Sequence, residues 1–229
     1  MYLSVLIPVY NSRKLLLNTV EILIKSLRNM SLDYEILLRD DGSRDGSKKV
    51  MEELSQRHPT VRSFYNNHNR GLGFTLRQLF QDAEGEVFVY MDCDLPFGVE
   101  NLSILFKEID HYDIVVMSRY MLKLNRVRFL RRLTSFLYFL LCRILFSIAV
   151  RDVGSGTVAI RKNVAQSLTL QADGFEIHAE IFTKAHKKGF KIKEVPAEFQ
   201  DRGMGHFSIL KHGPLTVLST LKLWEEAKR

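Results

Sequence analysis

Two aspartates one residue apart, Asp92 and Asp94, follow the apolar run Val87 to Met91 in VFVYMDCD. Such a run reads as a strand buried on both faces, so the two carboxylates leave the sheet together at its tip. Oxygen donors this close can hold a hard divalent cation that keeps much of its water, and such an ion bridges a diphosphate. Its charge would offset the negative charge that grows on a departing nucleoside diphosphate. The plain alternative is a pair of acids at a surface turn. A second acidic strand end follows YEILLRD, in DDGSRDGS at Asp40 to Ser47. It reads as an Asx turn feeding a helix N-cap, and Asp40 can also accept from the N–H groups of a nucleotide base.

The elements that must position these groups alternate. Strand-like runs YLSVLIP, YEILLRD, VRSFYN, VFVYMD and DIVVMSR are separated by helical periodicity at Leu15 to Leu27, Val50 to Leu54, Leu72 to Phe80 and Leu102 to Ile109. Alternation of this kind implies βαβ units and a largely parallel sheet. Ligands of such sheets bind beyond the carboxyl ends of the strands. Three strand ends therefore matter: Pro8-Tyr10-Asn11, Asp40 to Ser43, and Asp92 to Asp94. GTVAIRK and FKIKEVPAEF read as further strands, with a helix from about residue 175 to 188 between them and a terminal helix in PLTVLSTLKLWEEAKR. GLGFTL and GSGTVA match the dinucleotide fingerprint only in part, which argues against a nicotinamide cofactor.

The net charge of +7 is unevenly spread. Residues 1–113 hold 13 Lys/Arg against 17 Asp/Glu, residues 114–151 hold 8 against none, and residues 152–229 hold 12 against 9. The excess falls on a strongly apolar segment, which favours an anionic membrane surface over nucleic acid. Arg128 to Val150, RFLRRLTSFLYFLLCRILFSIAV, is charged too often to span a bilayer but is amphipathic. Arg128, Arg131, Arg132, Ser135, Cys142, Arg143 and Ser147 form a polar stripe beside a Phe/Leu face. The segment reads as a membrane-interface helix, or else as a core helix whose arginines reach solvent. The two cysteines, Cys93 and Cys142, match no zinc spacing, and a reduced, intracellular protein is expected. The first residues lack a basic leader and suit a buried strand better than an export signal.

IPVYN, DDGSRDGS, NRGLG, MDCDL, SRY, RDVGSG, GFEIHAEI, EVPAEF and DRGMGHFS occur in the order seen in family 2 glycosyltransferases. The chain most resembles the dolichol-phosphate mannose synthase and polyprenyl-phosphate glycosyltransferase branch, over about residues 4–210. That resemblance implies one α/β domain of GT-A, Rossmann-like fold. It would comprise a nucleotide-sugar-binding half at 1–122, the interface helix at 123–151 and an acceptor half at 152–229. It implies inverting transfer of mannose or glucose from GDP-mannose or UDP-glucose to a polyprenyl phosphate, with Mg²⁺ or Mn²⁺. By the same resemblance Pro8, Tyr10 and Asp40, with Asn11 and Asp92 beside them, bind the nucleotide, and Asp92 and Asp94 hold the metal. Arg119, Arg202 and Ser208 match positions near the phosphates, so Asp92, Asp94, Arg119 and Arg202 form the expected catalytic set. The chain departs from the pattern at Pro96, where many members have Gln, and at Ile209, where Lys is frequent.

A phosphate acceptor also follows from chemistry. A sugar hydroxyl needs a general base, whereas a phosphate monoester with a second pKa near 6 is mostly dianionic at pH 7 and attacks unaided. Arginine's fork suits its positioning, and Arg126, Arg128, Arg131 and Arg132 are the expected contacts, to which the resemblance adds Ser208. The alternatives are a transferase acting on a hydroxyl, with Glu176 or Glu180 as base, and a non-catalytic nucleotide-sugar binder. The expected setting is peripheral, on the cytoplasmic face of a membrane, with a membrane-spanning partner subunit as one way of attachment.

Overall fold

The computed structural model describes residues 2–125, 127–200 and 209–226. Arg126, Arg202 and Ser208 lie outside them.

A seven-stranded sheet forms the middle layer, in the order β3-β2-β1-β4-β6-β5-β7. The strands are β1 (Tyr2–Val9), β2 (Asp33–Asp40), β3 (Val61–Tyr65), β4 (Val87–Met91), β5 (Ile114–Ser118), β6 (Thr157–Arg161) and β7 (Ile192–Pro196). All pairings are parallel except those of β6, which runs antiparallel to both β4 and β5. The sheet is thus mostly parallel, as the alternation of elements requires, with one reversed strand that periodicity does not reveal. Apolar alternation sends Val5, Ile7, Val89 and Met91 to one face and Leu6, Phe88 and Tyr90 to the other. On the first face they meet α1 (Arg13–Asn29), α2 (Ser47–Arg57) and α4 (Leu102–Ile109) through Leu16, Leu23, Leu54 and Leu105. On the second they meet α3 (Leu72–Asp82), α5 (Phe129–Phe146), α6 (Lys162–Ser167) and α7 (Ile177–Lys187) through Leu79, Phe139, Val164 and Phe182. The short α6 is too brief to give a periodic signal. α8 (Ile209–Glu226) starts five residues before Pro214, its expected first residue, and accommodates that proline inside the helix.

The expected interface helix is α5, which ends at Phe146 rather than Val150. Phe139, Cys142 and Phe146 are its buried residues, so Cys142 belongs to the packed stripe and not to the polar one. The side-chain thiol is small enough to sit between two phenylalanines, which polarity alone does not register. Its outer face leaves Phe129 80%, Leu137 54% and Ile144 72% exposed, and on the neighbouring α8 Leu215 and Leu218 are 62% and 63% exposed. Among the described residues no helix is long and apolar enough to cross a membrane. Both cysteines are buried and free.

Candidate active site

The strand order reverses at β1 and β4, and ligands of open α/β sheets bind at such a reversal. A cavity of about 660 Å³ opens there. The end of β1 contributes Pro8, Val9 and Tyr10; the end of β4 contributes Asp92, Cys93 and Asp94; the end of β5 contributes Arg119. Arg131 of α5, the 173–176 loop, Phe199 and His212 of α8 close the remaining walls.

Asp92 is firmly held. Its N–H donates to Gly156 O at 2.8 Å, tying the tip of β4 to the start of β6. The buried Tyr90 hydroxyl donates to its Oδ1. A Cβ on Gly156 would stand 2.3 Å from Oδ2, so only glycine leaves room for the carboxylate. Burial, and then the charge of Asp94, push its pKa up to about 6. Two acids confined at one cavity wall form an electrostatic deficit that a cation relieves. Among the described residues no three His, Cys, Asp or Glu side chains cluster as metal ligands. Two hard oxygen donors suit an ion that takes its other ligands from water and a diphosphate, as Mg²⁺ does. Asp92 and Asp94 therefore fit the expected cation.

The second acidic strand end differs from expectation. Asp40 is buried, its Oδ2 accepts from the N–H groups of Gly42 (3.2 Å) and Ser43 (3.0 Å), and it is not on the cavity wall. The carboxylate on that wall is its neighbour's, Asp41, whose oxygens accept from Asn66 Nδ2, Arg70 N and Gly71 N at 2.8–3.0 Å. Successive residues leaving a strand turn opposite ways, and which of two adjacent acids faces the ligand depends on where the strand stops. Asn11 is also off the wall. Its N–H donates to Ser43 Oγ and its Oδ1 accepts from Arg44 N, both at 2.8 Å, so it pins the β1 loop to the 42–44 turn.

Arg119 reaches the cavity from a buried ion pair. Its backbone N and Nε donate to Asp152 Oδ2 at 2.9 Å, Nη2 donates to Asp152 Oδ1, and Nη2 also reaches Gly154 O at 2.8 Å. Burial works against its charge, but the Asp152 carboxylate keeps its pKa above the ordinary arginine value. Arg119 and Arg131 lie 5.8 and 5.5 Å from the ring of Phe199, which brings two guanidinium groups to one wall.

Among the described residues, the expected Arg132 and Arg128 do not join them. Arg132 faces a separate cleft with Tyr120, Phe129 and Arg151, because neighbours on a helix point about 100° apart. Arg128, the N-cap residue of α5, is exposed and not on the cavity wall.

Glu176 lines the cavity and its Oε1 accepts from Gly174 N at 3.0 Å. Glu180 does not line it, being fully buried and bound by Gln171 N, Ala172 N and Lys184 Nζ. His178 packs against Tyr90 with ring centroids 5.4 Å apart, and burial lowers its pKa to about 4. Cys93 fills a buried corner, where its thiol is raised to about 12 by burial. Sequence reasoning missed Asp41, Tyr90, Gly156 and Phe199. Gly154 and Gly156 of GSGTVA are the visible signal for a close approach, and Phe199 closes the motif EVPAEF without any sign of which way its ring points.

The chain is 35% identical over 213 residues to a dolichol-phosphate mannosyltransferase of Pyrococcus furiosus, covering 90% of this chain and 58% of that protein. It thus spans under two thirds of that relative's length. It is 28% identical to the polyprenol monophosphomannose synthase of Mycolicibacterium smegmatis, over 88% of this chain and 78% of that one. Its fold matches glucosyl-3-phosphoglycerate synthase of Mycobacterium tuberculosis, solved with Mn²⁺, uridine diphosphate and glucosyl-3-phosphoglycerate. That match has a TM-score of 0.73 at 18% identity, over 97% of this chain and 79% of the other. Residues 4–169, which carry both acidic strand tips, Arg119 and Arg131, match the family's sequence pattern, and the chain belongs to glycosyl transferase family 2.

Proposed function

We propose that this chain transfers a hexosyl group, mannosyl or glucosyl, from a nucleoside diphosphate sugar to a polyprenyl phosphate, at the cytoplasmic face of a membrane. The observation that carries this reading is one cavity with two acids on one wall and two guanidinium groups on another, beside helices with a wide exposed apolar face. The names of the Pyrococcus and Mycolicibacterium relatives agree with it.

In this reading Pro8, Tyr10 and Asp41 frame the nucleoside, and Asp92 and Asp94 would hold Mg²⁺ or Mn²⁺ at the diphosphate. The ion, when bound, supplies positive charge to the leaving group. The structure of a fold relative with Mn²⁺ and uridine diphosphate supports a divalent ion in this fold. Arg131 and Arg119 receive the acceptor phosphate, with Arg126, Arg202 and Ser208 as further candidates outside the described residues. The charge of Arg119 is already balanced in part by Asp152. An acceptor phosphate oxygen attacks the anomeric carbon from the face opposite the diphosphate. The new C–O bond forms as the bond to the nucleoside diphosphate breaks, and the configuration inverts. No proton must be removed from the nucleophile, so Glu176 is not needed as a base. The apolar faces of α5 and α8 would seat the protein in the membrane interface, where the prenyl chain resides.

The test incubates the chain with labelled GDP-mannose or UDP-glucose and a polyprenyl phosphate, with and without Mn²⁺. Label should enter the organic phase only with the ion and only for one donor. Label that never leaves the aqueous phase with any donor overturns the reading.

A further inference from the structure

A second cleft, of about 200 Å³, lies between the end of β5 and the outer side of α5. Tyr120, Phe129, Arg132, Leu133, Phe136 and Arg151 line it. Among the described residues neither the Arg132 nor the Arg151 guanidinium has an ion-pair partner. Glu194 is close, but it accepts from the backbone N–H groups of Arg151 and Asp152 at 3.0 and 2.9 Å, fixing the turn that carries Arg151. The Tyr120 hydroxyl is buried without a hydrogen-bond partner among the described residues. Two arginine side chains and Tyr120, whose hydroxyl is a spare donor beneath the surface, line a space large enough for a phosphate, rimmed by Phe129, Leu133 and Phe136, which are 80%, 42% and 46% exposed.

We propose that this cleft binds the phosphate of an anionic phospholipid of the bilayer, separately from the site of the transferred sugar. The inference rests on the membrane-surface reading above. The rim decides the source of the phosphate: a free phosphate would leave Phe129 and Phe136 in water, whereas a lipid's glycerol and acyl chains cover them. The absence of any Asp or Glu in residues 114–151 favours a net anionic lipid over a zwitterionic one, whose cationic headgroup would meet only Glu194, already engaged by two backbone N–H groups. The substrate lipid is disfavoured because Arg131, and not Arg132, faces the main cavity. Anchoring α5 on one side by bulk lipid would hold its other side, with Arg131, level with the membrane interface.

Co-sedimentation of the full chain with vesicles tests this. Phosphatidylcholine vesicles are compared with vesicles that also contain phosphatidylglycerol, for the wild type, Arg151→Gln, the R132Q/R151Q pair and the control Arg57→Gln on α2. The wild type and R57Q should prefer anionic vesicles, and each cleft arginine removed should weaken that binding about fivefold. Arg151→Gln should keep wild-type transfer to a short-chain, water-soluble prenyl phosphate. Equal binding of the wild type to both vesicle types, unchanged binding of the pair, a loss in R57Q as large as in R151Q, or a parallel loss of short-chain transfer in R151Q each overturns the lipid cleft. A wild type that sediments with neither vesicle overturns the membrane-surface reading along with it.

Discussion

Gly156 turns its bare Cα toward the carboxylate of Asp92, so closely that a Cβ would lie 2.3 Å from Oδ2. The same glycine accepts the Asp92 N–H. The acid at the tip of β4 is therefore located by a strand, β6, that enters the sheet some 65 residues later and in the opposite direction. Replacing Gly156 by Ala should push the carboxylate aside by about an ångström and lower transfer roughly 100-fold, the usual scale for such a misplacement. Steady-state transfer together with Mn²⁺ titration checks this; unchanged Mn²⁺ affinity would show that Asp92 has room to move.

Tyr90 holds the other oxygen of the same carboxylate. Tyr90→Phe keeps the ring that packs on His178 but removes the donor. Loss of a hydrogen bond that orients a metal ligand should weaken Mn²⁺ binding about 10-fold or more. The melting temperature should change little. Paramagnetic resonance of free Mn²⁺ reads the first quantity and calorimetry the second; a lower melting temperature with unaltered Mn²⁺ affinity would make Tyr90 a packing residue only.

Two buried groups give the metal-free protein opposed pH dependences. Asp92, raised to about 6, binds a proton more tightly when folded than when unfolded. Between about pH 6 and 4 it therefore adds stability as pH falls. His178, lowered to about 4, resists protonation when folded, so over about pH 6.5 to 4 it removes stability as pH falls. In the wild type the two oppose each other. Asp92→Asn should be more stable than wild type at pH 7, by about 1–3 kcal/mol, and should lose stability on acidification toward pH 4. It should transfer no sugar. His178→Phe should show the reverse slope. Urea melts across that range in EDTA measure both, and parallel profiles for the two variants would contradict the assignment.

The Arg119–Asp152 pair is almost fully buried. Asp152→Asn leaves a buried guanidinium uncompensated and should cost about 3–5 kcal/mol. Changing both partners, Arg119→Met with Asp152→Leu, should recover much of that stability without recovering transfer, because no cation then faces the cavity from β5. Denaturation and transfer assays on the pair separate the two roles; a stable double variant with full activity would remove Arg119 from the site.

The sheet, its helices and the acidic tip of β4 were legible because each rests on short-range regularity. Five apolar residues followed by Asp92 and Asp94 place those acids at a strand end wherever the strand goes. The alternation of elements likewise dictates a parallel sheet with a site at its carboxyl edge. Choices of direction were not legible. Asp40 and Asp41 are equivalent in the sequence, yet one supports a turn and the other faces the cavity. Arg131 and Arg132 read as one basic cluster, yet α5 sends one into the cavity and the other into the second cleft.

The sequence by itself determined the layered architecture, the acidic tip and the basic, apolar segment at 114–151, because local periodicity and side-chain chemistry are written residue by residue. Only the packed chain sets β6 running backwards, makes Gly156 leave room for Asp92, and brings Arg119 and Arg131 to the ring of Phe199. These relationships join residues tens of positions apart, and they exist only once the packing of helices on the sheet has fixed where each strand ends and which way each helix is rotated.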